Sequence, residues 1–290
     1  MSRILLIFIY LCILPVARLD ARELKTKTCF LQEDSVTVCR LLDEARHLPR
    51  TSNYTLFFAK KFLEVPYVAH TLEINDEEQL VVNTRQLDCT TLVETVTSLT
   101  LCAYHHLFTW RDFLNALTSM RYRDGRIENY TSRIHYFTEW IDANTMAGIV
   151  TEIQSPDPPF SAVQKVNVDY MSCHPENYKA LRLHPEYIDE IRLMEKRLTG
   201  RKYRYIPKRS VGYFSRLRNV IKDGDIIAIC CNKKGLDIAH LGLAIWENGE
   251  LHLLNASMLH KKVVIEPMTL YQYLQRHPSF IGIRIVRINK

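Results

Sequence analysis

The chain has 290 residues, of which 47% are hydrophobic and 24% are charged, and its formal net charge is +6. A chain of this length can bury enough surface for one large domain or two small ones. Its 9 glycines and 11 prolines are too few for a fibrous or disordered protein. The basic residues are scattered among acidic ones, which disfavours a nucleic-acid footprint. We therefore expect a folded protein that does not bind nucleic acid.

The first 21 residues have the pattern of an export signal. Met1 to Arg3 form a short basic start, and Ile4 to Val16 form an apolar run too short to span a bilayer. Cleavage after Ala17 or Ala21 would release the rest of the chain, which has no second long apolar run. We expect a protein exported to the periplasm, without stable membrane insertion.

Seven cysteines remain after removal of this segment. Seven is odd and sparse for this length, so at least one thiol stays unpaired and no disulfide scaffold is expected. Cys29 and Cys39 are the one local pair that could be bridged. The adjacent pairs at 105–106 (His-His) and 230–231 (Cys-Cys) lack metal-ligand spacing, so we expect no metal site.

The first two thirds of the chain read mainly as helices. Apolar residues recur at helical spacing in 34–64, with a break at Pro49, and a short strand or loop is expected at 81–82. Capping residues and apolar spacing predict four further helices: Cys89 to about His106, Trp110–Met120 after Thr109, Arg133–Asn144 after Ser132, and 186–199. A strand and a proline-rich loop are expected in 148–159.

The last third changes to short segments rich in Ile, Val and Leu, which are typical of strands. They are Asp225–Cys231, Asp237–Trp246, Leu251–Ala256, Lys262–Glu266 and Phe280–Ile288. A helical half packed on an antiparallel sheet is an α+β fold.

Cys89 is the first candidate for chemistry. Asp88 is a good N-cap, so Cys89 falls in the first turn of an amphipathic helix. There the helix dipole and unpaired N–H groups favour a thiolate and could bind an oxyanion. The alternative is a buried cysteine with no reactivity, a description that fits Cys102 better because Cys102 lies in the middle of the same helix.

A hairpin supplies the matching base. Asn248-Gly249 is a strong signal for a tight turn, and it pairs Glu247 with Glu250. Continuing this register places His240, Asn255 and Ser257 on one face of the sheet, with Gly242 leaving open space between them, whereas His252 points the other way. Alternatively, His240 has only a structural role and forms hydrogen bonds within the sheet.

These segments resemble a known family, the N-acetylmuramoyl-L-alanine amidase-like branch of the NlpC-type papain-like cysteine amidases. The resemblance covers nearly all of the chain after the signal, in the family's order: Pro66–Glu73, Leu87–Glu94, Arg133–Phe137, Trp140–Ile141, Asp223–Ile227, Gly235–Gly242 and Leu253–Ser257. Two positions depart from the family pattern. Asn255 stands where histidine is frequent, and Glu64-Val65 stand where a glycine is commoner.

The resemblance implies Cys89 as nucleophile and His240 as base. The hairpin register, not the resemblance, makes Asn255 the candidate that orients His240, with Ser257 as the next candidate. Tyr67 corresponds to a tyrosine beside the cysteine that helps to polarise the carbonyl, with Asp88 in support. The candidate contacts to substrate are Arg133, His135, Trp140 and Asp237, for which helix-surface or core roles stay open.

The implied reaction is hydrolysis of the bond between the lactyl group of N-acetylmuramic acid and L-alanine in peptidoglycan fragments, including anhydro forms. No metal or organic cofactor is implied. Two alternatives stay open: an endopeptidase cutting between D-glutamate and the diamino acid, and a secreted cell-wall binding protein without chemistry. We expect residues 22–290 to form one papain-like domain with helical insertions at about 104–205, acting as a monomer.

Overall fold

Amphipathic helices dominate the first part of the chain and short strands the last part. The computed structural model describes residues 28–290, so the predicted export signal lies outside the described residues. Helices of four or more residues are α1 (Gln32–Arg46), α2 (Tyr54–Lys61), α3 (Cys89–Tyr104), α4 (Trp110–Arg121), α5 (Phe137–Met146), α6 (Tyr170–Cys173), α7 (Lys179–Leu183), α8 (Tyr187–Leu198), α9 (Phe214–Leu217) and α10 (Leu270–Gln275). The strands are β1 (Thr28–Cys29), β2 (Leu80–Val81), β3 (Val150–Ile153), β4 (Ala162–Lys165), β5 (Lys202–Pro207), β6 (Ile226–Cys231), β7 (Ile238–Glu247), β8 (Glu250–Ser257), β9 (Lys262–Ile265) and β10 (Phe280–Ile288).

Side-chain caps mark the starts of three of the predicted helices, α2, α3 and α4. Thr109 accepts a hydrogen bond from the Asp112 N–H at 3.2 Å and starts α4. Pro49 separates α1 from α2, and α8 matches the helix predicted at 186–199. Between residues 28 and 290, no helix is long and apolar enough to cross a membrane.

The helix predicted at Arg133–Asn144 is wrong at its start. Ser132 does not cap it, because Asn129 instead accepts the Thr131 N–H at 2.9 Å and closes a short 3₁₀ turn over Tyr130–Ser132. The chain then runs extended, and α5 begins only at Phe137. A carboxylate from the distant residue Asp237 accepts the Thr138 N–H at 2.9 Å, so the cap comes from tertiary structure.

The main sheet is antiparallel and has the order β4-β5-β10-β6-β7-β8-β9. β10 pairs with β6 along one edge and with both β5 and β3 along the other. Helical insertions were expected in 104–205, with one strand in 148–159. β3 lies where that strand was predicted, whereas β4 was not predicted. The protein is therefore a mixed structure of helices and an antiparallel sheet, as predicted.

The hairpin between β7 and β8 has the predicted register. Asn248 and Gly249 adopt φ angles of 50° and 85°, and Glu247 pairs with Glu250. The paired ladder continues to Leu243 opposite Leu254.

Both faces of the sheet are buried, which explains its near-continuous apolar strands. In β6, Ile226 and Ala228 belong to a large core with α1–α5, whereas Ile227 and Ile229 belong to a second core with α9 and α10. A third core packs α6–α8. All seven cysteines of residues 28–290 are free, including Cys29.

Gly242 does not leave open space, contrary to the expectation from the sequence. A Cβ at this position would lie 2.7 Å from Leu253 Cγ and 2.8 Å from the carbonyl oxygen of Leu254.

We expect Gly242→Ala to lower the free energy of unfolding by about 1–3 kcal/mol, because the clash involves backbone in a packed strand. Denaturant unfolding measures this, with Gly212→Ala as the control, since its nearest contact is the Tyr271 ring at 3.3 Å. An equal effect in the two variants would contradict the prediction.

Candidate active site

The site is built around the N-terminus of α3. The Asp88 carboxylate accepts the Thr91 N–H at 2.8 Å, and the Thr91 hydroxyl oxygen accepts the Asp88 N–H at 2.9 Å. This reciprocal capping box fixes the point where the helix begins, and Cys89 is its first residue. The cysteine side chain is partly buried at the edge of the large core.

Backbone hydrogen bonds hold Tyr67 beside the N-terminus of α3. Val68 N–H donates to the Leu87 carbonyl at 3.1 Å, and Tyr67 N–H donates to the Lys261 carbonyl at 2.9 Å. Burial raises the pKa of Tyr67, and the neighbouring Cys89 and Asp88 raise it further. Glu64, which stands where the family more often has glycine, adopts a φ of 71°. Glu64 thus adopts a left-handed conformation, which glycine adopts at less cost.

His240 and Asn255 meet on adjacent strands. Asn255 Oδ1 lies 2.9 Å from His240 Nε2, the hydrogen bond expected from the hairpin register. Asn255 is completely buried, and its Nδ2 donates to Glu266 Oε1 at 3.0 Å. Ser257 has another role, because its hydroxyl oxygen accepts the His260 N–H at 3.3 Å.

One open cleft brings Cys89 and His240 together. Its volume is roughly 720 Å³ including the mouth, and its walls comprise Glu73, Cys89, Thr90, Tyr130, His135, Tyr136, Phe137, Met171, Tyr178 and Leu236–Leu241. The backbone of Leu241 and the side chain of Thr90 face the Cys89 sulfur and lower its pKa. The thiol therefore lies against the strand residue that directly follows His240.

The cysteine and histidine are both neutral at rest. Burial raises the pKa of Cys89 to about 12, and the Asp88 carboxylate adds to this rise. Hydrogen bonds from Leu241, Thr90 and the backbone of Cys89 itself offset it only in part. Burial also lowers the pKa of His240 below 6.5, against the opposing effects of Asn255 and Glu266. Desolvation outweighs the helix N–H groups here, so the pKa of the Cys89 thiol is raised, whereas the helix position alone favours a lower value.

Two of the four predicted substrate contacts line the cleft. His135 Nε2 lies 2.9 Å from the Tyr130 carbonyl, so this nitrogen carries the proton and Nδ1 is an acceptor. Burial and the charge of Arg133 hold the pKa of His135 well below 6.5, so it stays neutral. Asp237 is 3% exposed and its carboxylate caps α5.

The other two predicted contacts, Arg133 and Trp140, do not line this cleft. Arg133 is buried between Glu73 and Glu78, with N–O distances of 2.5 and 3.3 Å. Trp140 is 1% exposed and stacks on Phe137 in the large core, with ring centroids 4.8 Å apart. Arg133 still bears on the cleft indirectly, because it holds the carboxylate of Glu73, which is one of the cleft walls.

The structure also places residues near His240 that no sequence pattern had singled out. The Tyr273 ring on α10 lies 6.2 Å from the His240 ring, and burial raises its pKa. Glu266, completely buried, follows β9 and contacts Asn255. Both come from segments whose only local signal is that of an ordinary helix or strand end.

Known proteins are similar to this chain along most of its length. Residues 57–283 match the AmiA-like family model, described as N-acetylmuramoyl-L-alanine amidase-like. The crystal structure of an N-acetylmuramoyl-L-alanine amidase from Bacteroides uniformis is 40% identical, covers 82% of this chain and 98% of its own, and has a TM-score of 0.76. A Bacteroides fragilis structure, provisionally named a xylanase, is also 40% identical, with 80% and 100% covered and a TM-score of 0.76.

A more distant structure shares the fold alone. Protein LPG0564 from Legionella pneumophila is 23% identical, covers 89% of this chain and 95% of its own, and has a TM-score of 0.67. No curated protein matches the chain significantly. Since the family model spans well over half of the sequence, the chain belongs to the N-acetylmuramoyl-L-alanine amidase-like family.

Proposed function

We propose that the protein is a papain-like, NlpC-type cysteine amidase that hydrolyses the bond between the lactyl group of N-acetylmuramic acid and L-alanine in peptidoglycan fragments. Family membership supports a cell-wall amidase. The observation that carries the finer proposal is the shared cleft of Cys89 and His240, with Asn255 behind the imidazole. We further propose that the protein is exported to the periplasm and acts there as a monomer on muropeptides.

Acylation begins with the Cys89 thiol and the His240 imidazole both uncharged. Because His240 Nε2–H donates to Asn255, Nδ1 is the free base of the imidazole. Nδ1 accepts the Cys89 thiol proton while the sulfur attacks the lactyl carbonyl carbon. The resulting imidazolium donates that proton to the nitrogen of L-alanine as the C–N bond breaks. The products of this half-reaction are a free amine and a thioester on Cys89.

Deacylation uses the same base a second time. Nδ1 removes a proton from water as the oxygen attacks the thioester carbonyl, and the proton returns to the departing sulfur. The muramic acid carboxylate leaves and the starting state is restored. In the first turn of α3, the Thr91 N–H is taken by Asp88, so the N–H groups of Cys89 and Thr90 are the donors offered to the oxyanion. Tyr67 lies beside these N–H groups and helps to polarise the carbonyl.

The charges of the cleft favour the sugar side of the substrate. Among the described residues that line it, Glu73 and Asp237 are acidic and none is Lys or Arg. A stem peptide carries several carboxylates, which such walls repel, whereas sugar hydroxyls and acetamide N–H groups can donate to Glu73 and to His135 Nδ1. This supports binding of the sugar part of a muropeptide by these walls, and the product masses described below separate the amidase from a D-glutamyl endopeptidase.

Glycosidase chemistry, which the xylanase name of one relative suggests, has less support. Such a reaction needs two carboxylates free to act as acid and as base or nucleophile. In this cleft Glu73 is bound by Arg133, and Asp237 is bound by the Thr138 N–H.

Product masses test the proposed reaction directly. The protein is incubated with a disaccharide tetrapeptide muropeptide and the products are analysed by mass spectrometry. An amidase releases the intact tetrapeptide and a disaccharide that carries no peptide. Release of a disaccharide dipeptide would instead identify the endopeptidase, and cleavage between the sugars would identify a glycosidase. An unchanged substrate, with the protein folded, would contradict all three activities.

The pH dependence of kcat/KM tests the neutral pair. His240 must be unprotonated to accept the thiol proton, and its pKa is lowered, so activity falls only as the pH drops below 6.5. The Cys89 thiol, with a pKa of about 12, adds no limb near neutrality. With a muramoyl dipeptide substrate we expect one acid limb and a level profile from about pH 7 to 9. A bell-shaped profile that declines above neutrality would indicate a thiolate–imidazolium pair instead.

A further inference from the structure

The buried carboxyl group of Glu266 contacts Asn255, which in turn contacts His240. Glu266 is completely buried, and its Oε1 accepts a hydrogen bond from Asn255 Nδ2 at 3.0 Å. Its second oxygen, Oε2, lies 3.2 Å from Nε2 of His260, which is partly exposed. No Lys or Arg forms an ion pair with it among residues 28–290, so Glu266 is a buried acceptor facing an amide and an imidazole.

This contact determines which way the Asn255 amide points. Asn255 Nδ2 donates to Glu266 Oε1, so the group that Asn255 turns towards the carboxyl group is its NH₂. The carbonyl oxygen Oδ1 is thereby turned towards His240, at 2.9 Å from Nε2. Since Oδ1 can only accept, His240 must carry its proton on Nε2, and Nδ1 is left as the base.

We propose that Glu266 is a positioning residue that selects the reactive tautomer of His240 by holding the Asn255 amide in one orientation. This inference rests on the proposed function, because it concerns the base of the same reaction. If the amide turned over, its NH₂ would face Nε2, the proton would move to Nδ1, and the imidazole could not accept the thiol proton.

The charge of Glu266 acts on the same imidazole. His240 feels the negative charges of Glu266 and Asp88, which raise its pKa, and the neighbouring His277, which lowers it. Tyr273 packs on the His240 ring, and His260 faces Glu266 from the turn after β8. Removing the Glu266 charge therefore shifts the pKa of His240 downwards, and a role in packing alone predicts no such shift.

The first test replaces Glu266 by its neutral isostere. In Glu266→Gln either amide group can face Asn255, so both orientations of Asn255 become possible. We expect kcat on the muropeptide to fall roughly ten-fold or more, KM to stay unchanged, and the acid limb of kcat/KM to move to lower pH. The control is Glu250→Gln, an exposed glutamate at the hairpin turn, which should behave like the wild type. A folded Glu266→Gln variant with wild-type kcat and acid limb would overturn the proposal.

The second test exchanges the two groups. In the double variant Asn255→Asp with Glu266→Gln, the acceptor-only carboxylate lies next to His240 and residue 266 offers the amide donor. We expect its kcat to exceed that of Glu266→Gln, because the Nε2–H tautomer is again enforced. If Glu266→Gln is too unstable to assay, the double variant is compared with Asn255→Ala. A kcat at or below that of the reference variant would overturn the proposal.

A readout without substrate separates this inference from the proposed function. The rate of Cys89 alkylation by iodoacetamide at pH 7, followed by peptide mass spectrometry, depends on proton transfer from the thiol to His240. Glu266→Gln should slow this alkylation relative to Glu250→Gln even if the wild type cleaves no muropeptide. Equal alkylation rates in the two variants would overturn the role of Glu266, whatever the outcome of the muropeptide assay.

Discussion

Cys89→Ser is expected to lower kcat at least about 10³-fold while leaving the fold intact. Serine is nearly isosteric with cysteine, and the capping box of Asp88 and Thr91 that positions residue 89 does not involve the thiol. A hydroxyl, however, holds its proton much more strongly than a thiol. The lowered pKa of His240 makes the imidazole a weak base, which cannot compensate for the less acidic nucleophile.

The measurement is a comparison of kcat and of the unfolding midpoint for two matched variants. Cys39→Ser changes an exposed cysteine on α1 and should retain wild-type activity. Covalent trapping adds a second readout, since only the wild type should accumulate a muramoyl thioester on Cys89 after acid quenching. Cys89→Ser with activity close to that of Cys39→Ser would exclude Cys89 as the nucleophile.

The helices and strands that were predicted correctly are determined by residues that lie close together in the sequence. The start of α3 depends on Asp88 and Thr91, and that of α4 depends on Thr109 and Asp112, each pair three residues apart. The β7–β8 hairpin depends on the positive φ angles of its two turn residues. From that turn the register follows by counting, and it led to the hydrogen bond between His240 and Asn255.

Elements that were missed depend on contacts between distant parts of the chain. α5 starts four residues later than predicted because Asp237, about a hundred residues further on, caps it. The pairing of β3 with β10 joins segments more than 130 residues apart. Trp140 was a candidate contact to substrate for which a core role stayed open, and the packing of α5 places it in the core. Periodicity within a segment shows which face is apolar but does not show what covers that face.

The residues of the candidate site follow the same pattern: those in local motifs were predicted, and those that depend on distant contacts were missed. The resemblance and the hairpin register together led to Cys89, His240 and Asn255, which lie in two local motifs. Glu266 could not be identified in this way, because its position depends on the pairing of β9 with β8, which continues in the hydrogen bond from the Glu266 N–H to the Leu253 carbonyl. The neutral state of the Cys89 thiol was also missed, since desolvation reflects the packed surroundings and not the helix position alone.

His240→Ala is expected to lower kcat by roughly 10²–10⁴-fold, whereas His252→Ala should leave kcat nearly unchanged. Both histidines lie on the same hairpin, but they make different contacts. His240 lines the cleft with Cys89, whereas His252 lies opposite Ile245, with Nδ1 3.0 Å from the backbone carbonyl of Glu266. Loss of that hydrogen bond should cost about 1 kcal/mol of folding free energy.

Chemical rescue distinguishes a missing base from a damaged fold. Imidazole added to His240→Ala can enter the vacated space beside Cys89, accept the thiol proton and restore part of kcat. The rescue should increase with the concentration of neutral imidazole, because only that form can act as the base. Equal losses of kcat in folded His240→Ala and His252→Ala would mean that the effect comes from the hairpin as a whole. If imidazole also failed to rescue His240→Ala, His240 would no longer be the base, and the chemistry of Cys89 would depend on another group of the cleft.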